Sequence, residues 1–586
     1  MSWNAYPRPQ MKRDLFYMIK ENWTLNGKPI CVPFVPQSAL SEYEGEVGHA
    51  LMYETVFTVP ENFIKERILM HFGAVDQLAE VWLNDVLVGN HEGGYLSFTF
   101  DITEVIKRDA INHLVVKVTD DLDRDYPYGK QCEKRGGMWY TPTSGIWQNV
   151  WLENVPKHYI ENVKITPDLE GIALEVCQNE REYDSPEVKI RCEKDGAVTN
   201  QRAENCAEKR ESISVEICLH TGEKVSRTLD GAGPFYIALT EFKDAEGHSY
   251  EPKLWNTDDP YLYTMKIIAG EDAVDTYFAL RTIEIMDING VFRVCLNKKP
   301  IYMHGVLDQG YFSDGIFLPA EEEEYERDIL RMKELGFNML RKHIKIEPEC
   351  FYYYCDKHGM LVMQDMVNNG DYSFIRDTAL PTVGFRKRSD KSAGTSKQEK
   401  IFVEHMEGTV RQLYNHPCIV AYTIFNEGWG QFNSDEMYDR VKELDSTRLV
   451  DSTSGWFAQK KNDFDSEHIY FRTKKLKVKK RPLFVSECGG YSLAMEGHLF
   501  NPKKAYGYGK TKDSHELTET IVRMYHKMLL PAIVGGACGC IYTQLSDVED
   551  EINGLYTYDR KVCKVEKERM KEVAKELYEE IDRVLY

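Results

Sequence analysis

Short runs rich in β-branched and aromatic residues open the chain, at 51–59, 79–88 and 113–119, each bounded by turn formers. Asn84-Asp85 divides the second run where a tight hairpin needs its turn. Strands at this spacing, with almost no helical periodicity, predict a jelly-roll β-sandwich over residues 1–158. The texture then changes. At 163–166, 172–176, 188–192 and 212–218 apolar and polar residues alternate, as in half-buried antiparallel strands, between loops rich in Glu, Lys, Asp and Gly. About seven such strands fit an immunoglobulin-like β-sandwich over 159–286. Leu254-Trp-Asn-Thr-Asp-Asp-Pro-Tyr-Leu-Tyr263 marks the approach to its end with a Pro-bearing turn.

After Pro300 strand-like runs alternate with amphipathic helices. Strands are predicted at 301–306, 337–341, 360–364, 420–425, 449–452, 468–471, 482–486 and 540–543. Helices are predicted at 321–335, where Ile329, Met332 and Leu335 recur at helical spacing, around 351–358 and 399–414, and at 564–585. Eight βα units over 287–586 have the size and rhythm of a (β/α)8 TIM barrel. The expectation is therefore a multidomain chain: jelly roll, immunoglobulin-like sandwich and barrel.

Charge narrows the partners. Lys and Arg total 73 against 94 Asp and Glu, a formal charge of −21, which disfavours nucleic acid or an anionic membrane as main partner. Residues 474–481 are a basic run, expected to be a solvated loop or helix. The start, Met1-Ser-Trp-Asn-Ala, lacks the basic and apolar regions of a signal peptide, and the apolar window at 528–542 is broken by Pro531 and glycines. The 14 cysteines form no Cys-x-x-Cys pairs of zinc type, so reduced thiols and a cytoplasmic location are expected. The 35 Tyr, 25 Phe and 9 Trp suit β layers and sugar-binding surfaces alike.

In a barrel of this kind the reactive residues stand at the carboxyl ends of the strands. Two acids follow near-continuous apolar runs there: Glu427 in Thr423-Ile-Phe-Asn-Glu-Gly-Trp-Gly430, and Glu487 in Leu483-Phe-Val-Ser-Glu-Cys-Gly-Gly490. Either alone is compatible with a cap or an ion-pair partner. On the fourth and seventh strands they can face each other across the mouth, as glycoside hydrolysis requires. Asn426 can bond a sugar hydroxyl, and Trp429 offers an apolar face. Arg341 and Tyr470, ending strands two and six, can donate to Glu487 and keep it ionised. His304, Asp308, His343 and Asp365 also lie near strand ends and raise a metal-dependent reading, but no His-x-His follows strand one and no close His pair appears later. No metal and no cofactor are expected. His304, His343 and His468 are assigned to sugar hydroxyls or the cleft wall.

These motifs resemble glycoside hydrolase family 2, the β-galactosidase and β-glucuronidase group, over essentially the whole chain. Phe72-Gly-Ala-Val-Asp-Gln-Leu-Ala-Glu-Val-Trp-Leu-Asn84, Gly89-Asn-His-Glu-Gly-Gly-Tyr95 and Ser144-Gly-Ile-Trp-Gln-Asn-Val-Trp-Leu-Glu153 look like its sugar-binding jelly roll. The 254–263 segment and Phe278-Ala-Leu-Arg-Thr-Ile-Glu284 resemble the end of its immunoglobulin-like domain. His416-Pro-Cys-Ile-Val-Ala-Tyr-Thr-Ile-Phe-Asn-Glu427 is similar to its acid/base signature and Val485-Ser-Glu487 to its nucleophile strand. The resemblance implies a retaining exo-β-glycosidase, with Glu427 as acid/base, Glu487 as nucleophile and Asn426 on the 2-hydroxyl. It also implies a carbohydrate or glycoconjugate substrate, and it is compatible with a homo-oligomer. Departures bear on the substrate. Gly305-Val-Leu-Asp-Gln-Gly-Tyr311, with Asp308, replaces the family's usual segment, Gln364-Asp365 stands for its strand-three acids, and Gln544 stands where a stacking Trp is usual. Glu551-Ile-Asn-Gly554 lacks the Lys of the glucuronidases' Asn-x-Lys pair, while Arg341-Lys-His-Ile-Lys345 offers cations that could grip an acidic sugar by another route. A β-galactoside and a β-hexuronide both stay open, as does a non-catalytic carbohydrate-binding scaffold with the same architecture.

Overall fold

Alternation of buried and exposed positions builds the first half of the chain from antiparallel strands, seen most clearly in Ala50–Phe57, whose Leu51, Tyr53 and Phe57 turn inward. The computed structural model describes residues 3–179, 212–230, 233–243, 247–386, 390, 394–470 and 472–583. A four-stranded sheet (Phe16–Met18, Val150–Val155, Arg67–Phe72, Phe98–Asp101) and a six-stranded sheet share one apolar core. Asn84 and Asp85 take φ of 53° and 67° between Leu78–Leu83 and Val86–Glu92, the left-handed pair that a two-residue hairpin turn demands.

Ile160–Pro167, Gly171–Gln178 and Phe235–Ala238 form a three-stranded sheet. Lys224–Leu229, Ile213–Cys218, Tyr263–Ala269 and Asp272–Phe278 form a four-stranded one. Ile165, Leu174 and Ile237 of the first pack with Val215, Ile267 and Val274 of the second. The strand predicted at 188–192 lies outside the described residues. A three-stranded antiparallel sheet at Ile283–Ile288, Val291–Leu296 and Lys299–Pro300, absent from the prediction, leads into the barrel.

Eight parallel strands form the barrel: β1 (Met303–Asp308), β2 (Met339–Lys342), β3 (Leu361–Asp365), β4 (Ile419–Asn426), β5 (Leu449–Ser454), β6 (Asp465–Tyr470), β7 (Leu483–Gly489) and β8 (Ala537–Thr543). Their order is β5-β4-β3-β2-β1-β8-β7-β6. Most positions in them are buried, as expected of strands covered on both faces. β5 and β6 close the ring through side chains: Ser466 Oγ donates to Asp451 Oδ2 at 2.7 Å, and Ser454 Oγ lies 3.0 Å from His468 Nε2. The predicted helices appear as Glu323–Glu334, Glu349–His358, Ser396–Leu413 and Lys567–Arg583. Ser434–Leu444 and Ser514–Met524 are additional. The expectation of eight full βα units is corrected: among the described residues no helix follows β5 or β6, where the connections are short. Residues 474–480 run as a loop, and Lys474 pairs with Glu467 at 2.7 Å. No helix among the described residues is long and apolar enough to cross a membrane.

Candidate active site

Arg341 in β2 is the hub of the barrel mouth. Its side chain is wholly buried and every donor group is engaged. Nε donates to Asp365 Oδ1 and Oδ2 (3.0 and 3.2 Å) at the end of β3. Nη1 donates to the Ser486 carbonyl (2.9 Å) and to Glu487 Oε1 (3.1 Å), and Nη2 to Asn426 Oδ1 (2.9 Å). A guanidinium can serve three strands at once because its five N–H groups form a rigid fork. Asp365 thus fixes Arg341, which in turn fixes Glu487 and Asn426.

Glu487 in β7 is nearly buried, and its other oxygen accepts from the Tyr470 hydroxyl, which also lies 3.0 Å from Thr543 Oγ1. Burial works against the charge of Glu487. The positive charges of His468 and Arg341, with the Tyr470 hydroxyl, outweigh it and hold the carboxyl at about 2. Glu427 follows β4 at φ 55°, a left-handed conformation that a non-glycine residue rarely takes. Its amide is tied to the Ser454 carbonyl (3.0 Å) and its carbonyl to Trp456 Nε1 (2.9 Å), so the neighbouring strand holds the strained turn. Burial, aided by the charge of Glu487, raises the Glu427 pKa, against the pull of His468. The two carboxylates are therefore driven apart: one held ionised, the other inclined to keep its proton.

His468 joins them. Nδ1 lies 2.7 Å from Glu427 Oε1 and 3.5 Å from Glu487 Oε2, while Nε2 faces Ser454 Oγ. The ligand atoms of Glu427, His468 and Glu487 all lie within 4.8 Å of one another, the one such group of three among the described residues. A cation there would have to displace the bonds from Arg341 and Tyr470 and sit against a guanidinium, so the donor set suits proton handling better than metal binding.

The remaining predicted residues divide. His343 is buried with Nδ1 2.7 Å from Asp365 Oδ2, and burial lowers its pKa to about 4. Because the Asp365 carboxylate can only accept, Nδ1 carries the proton and Nε2 keeps a free lone pair. Asp308 is drawn instead into a buried ion pair with Lys342 (2.6 Å), which also holds Glu347 (2.8 Å). Lys345 is likewise turned from the mouth: its ammonium donates to the Gly310 and Phe317 carbonyls and pairs with Glu347. His304 sits at the opposite, N-terminal end of β1, against the Gly336 carbonyl and the Tyr525 hydroxyl. Gln544 is fully buried between Gln309 and Asn553. Trp429 is buried in an aromatic cluster with Tyr128, Trp139 and Tyr372. Ser454, Trp456 and Tyr508, which stacks on Tyr470 at 4.1 Å, belong to the site without having been predicted. Their only sequence signal is nearness to a strand end, which many inert residues share.

Comparison with known proteins bears on the family and the fold. The family model described as glycosyl hydrolases family 2, TIM barrel domain, matches residues 287–531, and that described as glycosyl hydrolase 2 galactose-binding domain-like matches residues 37–148. A β-galactosidase of Thermoanaerobacter pseudethanolicus is 24% identical over 411 residues, 68% of this chain and 47% of its own length. A β-glucuronidase of Bacteroides fragilis is 24% identical over 426 residues, 69% of this chain and 53% of its own. The chain thus spans about half the length of these curated relatives. The fold superposes on a β-D-glucuronidase structure from Dictyoglomus thermophilum with TM-score 0.73 at 16% identity, covering 97% of this chain and 98% of that one. A β-glucuronidase from an uncultured Clostridium sp. gives 0.70 at 18%, covering 97% and 99%. The chain belongs to glycoside hydrolase family 2.

Proposed function

We propose that the protein is a retaining exo-β-glycosidase that removes terminal β-linked sugars of galactoside or hexuronide type by double displacement. The observation that carries this is the convergence of Glu427 and Glu487 on His468 Nδ1, with carboxylate oxygens within 4.8 Å of each other. A retaining pair stands about 5–5.5 Å apart, whereas an inverting pair leaves about 6.5–9.5 Å for water. In the first half-reaction Glu487 Oε attacks the anomeric carbon, and Glu427 gives its proton to the departing glycosidic oxygen. In the second, Glu427 takes a proton from water, whose oxygen displaces Glu487. Once Glu487 is esterified its charge no longer raises the Glu427 pKa, so the acid becomes a base in time for that step.

We also take 1–158, 159–286 and 287–586 as the three domains, a division in keeping with the two family matches. The twelve described cysteines are free thiols, which supports a cytoplasmic setting. The test is turnover of nitrophenyl β-glycosides. Wild type is expected to hydrolyse at least one sugar of a galactoside, glucuronide, galacturonide, glucoside, mannoside and arabinoside panel, and Glu487→Gln none. Equal activity in both overturns Glu487 as the nucleophile, and no activity in wild type overturns the glycosidase reading in favour of a carbohydrate-binding scaffold.

A further inference from the structure

One wall of the barrel mouth comes from the N-terminal sandwich. The Tyr128 amide donates to the Asn368 carbonyl (3.1 Å) and its hydroxyl to the Gly370 carbonyl (2.8 Å), both just beyond β3. Asn368 Nδ2 returns a bond to the Gly129 carbonyl (3.5 Å). Gly129 has φ 64°, and a Cβ on it would stand 3.0 Å from the Ile344 carbonyl beyond β2, so glycine is what lets the loop press this closely. Lys130, the next residue of this sandwich loop, therefore follows directly on a contact with the segments just beyond β2 and β3, where His343 and Asp365 stand. Its carbonyl accepts from the Tyr140 amide (3.0 Å), and its ammonium lies 6.0 Å from the Tyr140 ring centre.

The charge of that ammonium reaches both Glu427 and His343. Other cations around the mouth are spoken for. Arg341 is shared among Asp365, Glu487 and Asn426, Lys342 between Asp308 and Glu347, and Lys345 lies on Glu347. Arg135, on the same sandwich loop, pairs with Glu549 at 3.5 Å. Lys130, by contrast, has no carboxylate within 4 Å among the described residues. A half-buried ammonium without a counter-ion is costly unless something meets it. A carboxylate meets it far better than a neutral hydroxyl, because both partners of the hydrogen bond are then charged.

We propose that Lys130 is the specificity-determining residue of the site: its ammonium receives the carboxylate of a terminal uronic acid, so that β-hexuronides are preferred to neutral β-glycosides. This rests on the glycosidase reading above. The test compares nitrophenyl β-glucuronide and β-galacturonide with the galactoside, glucoside, mannoside and arabinoside in wild type, Lys130→Met and Lys130→Arg, with thermal unfolding to verify folding. Wild type should show its highest kcat/KM on a uronide. Lys130→Met should lower that value by about 10- to 150-fold, mainly through KM, and lower the uronide-to-neutral ratio with it. Lys130→Arg should keep most of the ratio. Preference of wild type for a neutral sugar overturns the assignment and leaves the glycosidase reading standing. Equal loss on uronide and neutral substrates in Lys130→Met overturns it in favour of a structural role. Turnover of no glycoside at all overturns both.

Discussion

Replacing Arg341 by Met tests how the nucleophile is kept ionised. The variant keeps the length of the side chain and removes the donors that serve Asp365, Glu487, Asn426 and the Ser486 carbonyl. Two buried carboxylates lose their counter-ion, a change that costs about 3–5 kcal/mol when one partner of a buried pair is removed. The titration of Glu487 leads to a similar size. Its carboxyl stands at about 2 against an ordinary 4.5, a difference equivalent to about 3 kcal/mol. Because that pKa is depressed, the stability it supplies is present above the ordinary carboxylate range and is lost as pH falls through about 2. His468 shares the work, so loss of Arg341 should move the acid limb of kcat/KM up by about 1–3 pH units, the effect of one nearby opposite charge. The assay is kcat/KM from pH 3 to 8 on an activated nitrophenyl glycoside, with urea unfolding alongside. Arg341→Lys should fall between, holding the charge but losing the fork. An Arg341→Met enzyme that is destabilised but keeps the wild-type acid limb would refute the claim that Arg341 sets the ionisation of Glu487.

Other substitutions probe the remaining parts. Glu427→Gln should lose about 10²–10⁴-fold on alkyl glycosides and far less on activated aryl glycosides, whose leaving groups need little protonation; equal losses would remove Glu427 from the acid role. His468→Leu deletes the bond that pulls the Glu427 pKa down, so the alkaline limb of kcat/KM should rise, and an unmoved limb would show that the 2.7 Å contact does not tune the acid. Lys342→Met strands Asp308, while Glu347 keeps Lys345, and should destabilise the fold by about 3–5 kcal/mol in urea; wild-type stability would contradict the buried pair.

The two acids were legible because each closes an apolar run that can only be a buried strand, and a carboxylate there needs a polar mouth to receive it. The contacts of Arg341 and Tyr470 with Glu487 followed from the same placement. What failed was side-chain direction at strand ends. Asp308 and Lys342 are register partners on β1 and β2, and nothing in either run announces that pairing before the register is known. Gln309 and Gln544 meet in the same non-local way. Lys130 and Trp139 reach the mouth from another sandwich, across a sequence separation that no local pattern spans. Ser434–Leu444 hides because only Met437 and Val441 among its apolar residues are buried, too thin a stripe to mark a helix. The connections after β5 and β6 look like βα units by strand rhythm alone, yet they are too short to hold a crossover helix and are closed by Ser466 and His468 instead.

Trapping the intermediate tests the central claim most directly. A 2-deoxy-2-fluoro β-glycoside of the hydrolysed sugar, carrying a good leaving group, should inactivate the enzyme with one sugar bound per chain. Peptide mass mapping should then place that sugar on Glu487. A label on any other residue, or an α-anomer as the first product formed from a β-glycoside, would contradict a double displacement through Glu487.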